Sequence, residues 1–199
     1  GLKTLRKIKE VKNYQENRDF PSLDNTTHVS AHNKFGTISI REVYQEIDKV
    51  FGKSHTLVGE IYWREFFTNI MYHFPHSFNK AFRKKYEKIP WSKNTKMFEK
   101  WKTGRTGFPI VDAGMIELNS TGYMHNRVRM IVASFLTKDL HIDWKWGERY
   151  FAEKLIDYDP SVNVGNWQWS ASTGCDAQPW FRIFNPWLQQ EKYDKDCLY

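Results

Sequence analysis

Carboxylates, amides and indoles crowd residues 157–169, where Asp157, Tyr158, Asp159, Asn163, Asn166, Trp167, Gln168 and Trp169 all follow a helix end. A loop this rich in polar and aromatic groups reads as one that serves a ligand. The competing reading is an aromatic-capped turn in which Asp157 and Asp159 only cap and hydrate the chain. A second store of polar groups lies at residues 13–33, where Thr, Ser and Asn gather around Pro21 and leave hydroxyls to spare. Glu60 and Arg64 stand one helical turn apart in a mostly apolar stretch. Nine tryptophans and an aromatic share of 17% raise the question of a ring-lined cleft, the plainer alternative being an aromatic core.

Composition narrows the classes. Lys and Arg outnumber Asp and Glu by 30 to 23, a net charge of +7 that suits a polyanionic partner such as nucleic acid, although the charges are scattered. Two cysteines, Cys175 and Cys197, cannot supply a four-thiolate iron–sulfur or zinc site, and they read as reduced, intracellular thiols. No apolar run approaches the length of a membrane span, and the Lys-rich opening lacks a signal-peptide core. These features describe a soluble protein of the cytoplasm or nucleus, and no metal site is expected. The 199 residues suit one large domain. Apolar helical spacing begins straight after Gly1 and the chain stops at Tyr199, so both ends read as cuts.

The elements that must position these groups are helical. Leu2, Leu5 and Ile8, with Val11, recur at helical spacing. Ser39 caps a helix over residues 40–51 with Glu42 completing a capping box, and Gly52 ends it. A long, partly buried helix is expected over residues 57–72, before Pro75. Residues 86–103 read as a Lys-rich linker. Pro109 opens a helix that runs to Leu118 and stops at Gly122. Further helices are expected over residues 127–136 and 146–156. With no convincing strand alternation and no internal repeat, the fold class is all-α, a helical cluster with long functional loops.

Four blocks in order carry a family resemblance: Gly59-Glu60-Ile61-Tyr62-Trp63-Arg64-Glu65-Phe66-Phe67, then Asn119-Ser120-Thr121-Gly122-Tyr123-Met124-His125-Asn126-Arg127-Val128-Arg129-Met130, then the 157–169 stretch, then Phe181-Arg182-Ile183-Phe184-Asn185-Pro186. Together they resemble the FAD-binding catalytic domain of the DNA photolyase/cryptochrome family, over roughly residues 14–193. The resemblance implies one helical domain over 1–199, an amino-terminal antenna domain with its own chromophore before Gly1, and a short helical tail after Tyr199. It also implies a non-covalent FAD whose reduced anionic form is active, a monomeric protein, and damaged DNA as the partner.

The resemblance carries over to individual residues. Tyr14, Thr26, Thr27, His28, Val29 and Ser30 match the segment at the FAD pyrophosphate, where hydroxyls and turn amides suit a phosphate. His28 stands where the family often has Arg, and Leu57 where some members place an aromatic contact. Asp157, Tyr158 and Asp159 match the flavin and adenine side, with Arg129 as the partner of a buried carboxylate. Arg64 matches a flavin-side cation that favours negative charge on the ring. Asn163 matches the residue facing flavin N5, where plant cryptochromes tend to carry Asp and insect cryptochromes Cys. Trp91, Trp144 and Trp167 match a chain of indoles that passes electrons to the flavin.

Trp63 and Trp169 match the pair that sandwiches the lesion, with Glu60, Asn126 and Met130 in the same pocket. The (6-4) repair enzymes of the family use histidines where this chain has Asn126 and Met130, so the lesion implied is the cyclobutane pyrimidine dimer, with Glu60 stabilising its charged form. Arg127 and Arg182 match positions near the DNA backbone, and Arg18 lies at the pocket rim. Lys84, Lys85 and Lys88 add charge that reads more readily as a solvated face. The activity implied is that of a light-driven lyase on dimer-containing double-stranded DNA, and the alternative is a cryptochrome-like blue-light receptor.

Overall fold

Helix boundaries follow local chemistry wherever that chemistry is strong. In the computed structural model, which describes residues 1–199, Ser39 Oγ accepts from Arg41 N and the Glu42 carboxylate accepts from Ser39 N at 2.8 Å. That capping box starts the fourth helix, and Gly52 stops it with φ of 85°. In chain order the helices are α1 (Leu2–Arg6), α2 (Tyr14–Asn17), α3 (Ser30–Lys34), α4 (Ile40–Phe51), α5 (Thr56–His73), α6 (Thr95–Lys102), α7 (Pro109–Thr121), α8 (Asn126–Ser134), α9 (Trp144–Lys154), α10 (Pro160–Ser170) and α11 (Pro186–Tyr193). Short 3-10 turns fill several connections, and α8 runs on into a π-helical turn, Phe135–Asp139. The fold is all-helical, with one isolated parallel bridge between Ser92 and Ile142. No helix is long and apolar enough to cross a membrane.

Three expectations need correction. Residues 157–169 are not a loop beyond Asp159. Pro160 takes the first helical position and Asp159 accepts from the backbone N–H of Ser161 and Val162, so α10 carries Asn163, Trp167 and Trp169 on a rigid frame. The Lys-rich linker contains α6, because Asn94 caps it by accepting from Met97 N and Trp101 anchors it, fully buried. The open stretch at 13–33 holds the short helices α2 and α3 and a 3-10 turn, Pro21–Leu23.

Two apolar clusters hold the helices together. The larger joins α6 to α10 around Trp101, Val111, Met115, Ile131, Leu136, Phe151 and Trp167. The smaller ties the amino-terminal turns to α4 and α5 through Leu5, Ile8, Val43, Ile47 and Leu57. Helices α5 and α10 meet at Gly165, where any Cβ would collide with the Phe67 ring. Gln168, on the same helix, is buried and uses its whole amide. Its Nε2 donates to Ser77 O at 2.6 Å and Lys80 O at 3.0 Å, and its Oε1 accepts from Phe82 N at 2.9 Å. This bolts α10 to the turn after α5. Lys84, Lys85 and Lys88 are exposed, as a solvated face requires.

Candidate functional site

Between the two clusters lies a cavity of about 330 Å³, within the range of small-molecule sites. All the residues expected at a cofactor line it: Tyr14, Thr26, Thr27, His28, Val29, Ser30, Arg64, Arg129, Asp157, Tyr158, Asp159 and Asn163. Glu60, Asn126, Met130, Trp167 and Trp169 line it too. Apolar side chains of α4, α5 and α9, among them Val43, Ile47, Leu57, Ile61 and Phe151, complete the walls. Leu57 keeps a buried apolar place there.

The carboxylates are held in different ways. Asp157 is nearly sealed, its side chain 4% exposed, and accepts from Arg129 Nη1 and Nη2 at 3.2 and 2.9 Å. Arg129 is fixed in turn by donating from Nε to Met124 O at 2.7 Å. Asp159 caps α10, so both proposed roles of this residue, capping and facing the cavity, coexist. Glu148 accepts from Tyr158 Oη and from Asn163 Nδ2, each at 3.1 Å, which sets the orientation of the Asn163 amide. Burial pushes the Tyr158 phenol up to about 12, with the Glu148 charge adding to it. Burial likewise pushes Tyr14 up to about 12, so its hydroxyl stays a donor.

The turn at residues 24–30 is built by two left-handed residues, Asp24 and His28. His28 Nε2 lies 2.7 Å from Asp24 Oδ1 and its ring 5.1 Å from that of Tyr123. Arg64 lines the cavity while donating to the neighbouring Glu65 at 2.8 Å.

Other expected residues stand outside the cavity lining. Trp63 is 46% exposed and stacks on Phe67, with ring centroids 6.0 Å apart. Arg182 is exposed, its guanidinium over the Phe184 ring. Arg18 donates to Glu60 at 2.5 Å. Arg127 is not an open cation: it donates to Asp19 at 2.7 Å and lies over the Tyr193 ring. Trp144 is buried at the start of α9 and Trp91 half-buried, their segments joined by the bridge in which Ser92 N donates to His141 O at 2.7 Å. The Trp167 ring reaches α9 at Gly147, one turn beyond Trp144.

Sequence reasoning missed several residues at and behind the wall. Trp101, in the core behind the cavity, packs 6.1 Å from Trp167 but sits in a stretch whose lysines hid its helix. Asn33 and Lys34 of α3 and Asn166 of α10 line the cavity itself, and the amide Oδ1 of Asn33 is buried without a hydrogen-bond partner. Helical spacing from Asn163 to Asn166 could have found the last of these, had α10 been recognised.

Residues 57–199 match the family described as the FAD binding domain of DNA photolyase. The deoxyribodipyrimidine photo-lyase of Alkalihalophilus pseudofirmus is 47% identical over 194 residues, which is 96% of this chain and 40% of that protein. A bacterial class III photolyase from Agrobacterium tumefaciens superposes with a TM-score of 0.95 at 44% identity, over 100% of this chain and 42% of that one. An archaeal photolyase from Sulfolobus tokodaii, solved with two FAD molecules, superposes with a TM-score of 0.86 at 54% identity, over 92% of this chain and 41% of that one. The chain thus spans about two fifths of the length of the relatives it matches.

Proposed function

The chain belongs to the family of FAD-binding domains of DNA photolyases, and from that premise we propose that it is the catalytic part of a light-driven lyase that restores pyrimidines from cyclobutane dimers in DNA. One observation carries the reading: a single cavity is lined both by the residues suited to FAD and by Glu60, Asn126, Met130 and Trp169, which suit a flipped-out lesion. Enzymes that do chemistry on a base, photolyases among them, take it out of the helical stack, so the dimer would enter this cavity extruded from its duplex.

The residues present fit FAD. Short hydroxyls at 26–30 offer donors to a pyrophosphate, while carboxylates at 157 and 159 and the buried, unpartnered Oδ1 of Asn33 offer acceptors to N–H and O–H groups of the cofactor. Bound there in its reduced form, FAD would supply the light-driven electron-transfer chemistry.

The chain's own residues do the rest. Thr26, Thr27 and Ser30 hold the phosphates, and Asp157 and Asp159, the first braced by Arg129, orient the heterocycles. Arg64 favours negative charge on the ring, and Asn163, aimed by Glu148, presents a neutral amide to it, which favours repair over the signalling role of a cryptochrome. Trp169 and Trp63 hold the dimer by stacking, and Glu60 hydrogen-bonds it and stabilises the negative charge that it acquires. Trp167, Trp144 and Trp91 lead from the cavity wall across α9 to the half-buried bridge segment, a route for electrons from the surface. On this reading the protein works as a monomer on damaged DNA, and an antenna-bearing domain is its further partner.

Three measurements test the proposal. Denaturing the purified protein should release FAD, and illuminating the reduced protein with dimer-containing duplex should restore the pyrimidines. Glu60→Gln should lower repair yield more than DNA affinity. A protein that takes up no FAD, or that holds FAD and repairs nothing, would overturn the reading.

A further inference from the structure

Four charged side chains run in a chain along the cavity rim. Glu60 Oε1 accepts from Arg18 Nη1 at 2.5 Å, Arg18 Nε lies 3.9 Å from Asp19 Oδ1, and the same Asp19 oxygen accepts from Arg127 Nη2 at 2.7 Å. The partners come from distant parts of the sequence: Arg18 and Asp19 follow α2, Glu60 sits on α5 and Arg127 on the first turn of α8. Glu60 and Asn126, the neighbour of Arg127, both line the cavity.

Arg127 is held on two sides. Its guanidinium lies 4.5 Å from the centroid of the Tyr193 ring and its side chain is only 16% exposed, whereas Asp19 keeps 35% of its side chain open. The Nε of Arg127 is buried without a partner. Two cations and two anions leave the group neutral, so the rim shows little of the chain's positive balance to an approaching polyanion. An ion pair with one well-exposed member is weak and exchanges readily for a better anion. A phosphate pressed against the rim is such an anion, since guanidinium and phosphate match in geometry and charge.

We infer that Asp19 is a specificity-determining residue: it is the internal counter-ion that occupies Arg127 and yields it to a DNA phosphate only when a lesion is seated in the cavity. This rests on the reading of the cavity as a dimer site. Loosely bound, undamaged DNA is held by scattered surface cations and has no anchor at the rim, so its phosphates do not displace Asp19. Duplex anchored through a flipped dimer keeps a phosphate beside Arg127 long enough to exchange.

Salt dependence separates the possibilities, because each phosphate neutralised adds roughly 0.9 to the slope of log affinity against log salt. Binding of damaged and undamaged duplex should be titrated between about 50 and 200 mM salt with the full chain loaded with FAD. For Asp19→Asn the undamaged slope should steepen by about 0.9 while the damaged slope stays put. For Arg127→Ala the damaged slope should fall by about 0.9 and the undamaged slope stay put. The second variant keeps the inference testable if the first loses its fold, and flavin content and circular dichroism report on folding in both. Equal steepening for both duplexes in Asp19→Asn would make Asp19 a simple repelling charge and overturn the inference. Unchanged slopes in both variants would make Arg127 a structural brace and overturn it too. Equal affinity of the unsubstituted protein for the two duplexes would instead overturn the dimer-site reading itself, and this inference with it.

Discussion

The benzenoid edge of Trp167 rests on the backbone of Gly147, where a Cβ would overlap both Cη2 and Cζ3 of the indole and crowd Leu136. The absence of a side chain at 147 is what lets a buried indole that lines the cavity come so close to α9, the helix that begins at Trp144. Gly147→Ala should therefore push the ring away, costing about 1–3 kcal/mol of stability as overpacking does. Photoreduction of oxidised FAD should slow in parallel. Trp167→Phe should stop photoreduction while sparing repair by chemically reduced protein. Flash photolysis and thermal melts on both variants check this, and photoreduction that persists in Trp167→Phe would assign the indole to packing alone.

The Arg129–Asp157 pair makes a different kind of demand. Asp157 is nearly inaccessible to water, so Arg129→Met strands its carboxylate, a loss of roughly 3 kcal/mol for a broken buried pair. FAD uptake should weaken as well. Adding Asp157→Asn to Arg129→Met removes the stranded charge and should recover much of the stability, though not the cofactor affinity. Urea unfolding and absorbance titration with FAD separate the two effects.

His125 confers acid sensitivity. It is 4% exposed and caps α8 by accepting from Arg127 N through Nδ1, and burial lowers its pKa to about 4. The unfolded chain binds a proton near pH 6.5 and the folded one does not, so stability is lost as pH falls from about 6.5 to 4. His125→Asn, which keeps a capping acceptor, should flatten that part of the stability curve and leave the region above pH 7 nearly unchanged. A melting series from pH 4 to 8 decides it, and an unchanged slope would place the acid sensitivity elsewhere.

Stacking on rings should contribute its own share of lesion recognition. Trp169 lines the cavity and Trp63 stands half-open on α5. Stacking on an aromatic ring is worth roughly 1–3 kcal/mol per base, so Trp169→Ala should weaken binding of dimer-containing DNA about five- to a hundred-fold. Undamaged DNA should be little affected. Equal losses on both DNAs, with flavin content intact, would remove Trp169 from the lesion pocket.

Much of this was legible residue by residue. Ser39 with Glu42, Pro109 at a helix start and Gly122 at its end are signals carried within a few positions, and the structure places helix ends at each. The residues grouped by family resemblance at the cavity proved to line one space although they come from four separate segments. The extent of α10 was harder to read, although Asp159 and Pro160 signal its start. Its Val162, Val164 and Gly165 are poor helix formers in isolation, and the helix is held by contacts far away in sequence: Gly165 against Phe67, Gln168 on the 77–82 turn, Trp167 on Gly147.

Charge shows the same division. From its type and block alone, Arg127 reads as a cation for DNA, because a side chain's charge belongs to the residue. Whether that charge is free depends on what lies beside it, and its partner Asp19 is 108 positions away. Residue type and short-range spacing, being properties of the chain, determined the helical class, the caps and the chemical repertoire of the site. Long-range packing, which balances burial of rings and pairing of charges over the whole domain, decided that α10 continues as a helix beyond its Asp159–Pro160 start, that Trp101 backs Trp167, and that the rim arginines meet carboxylates before they meet anything else.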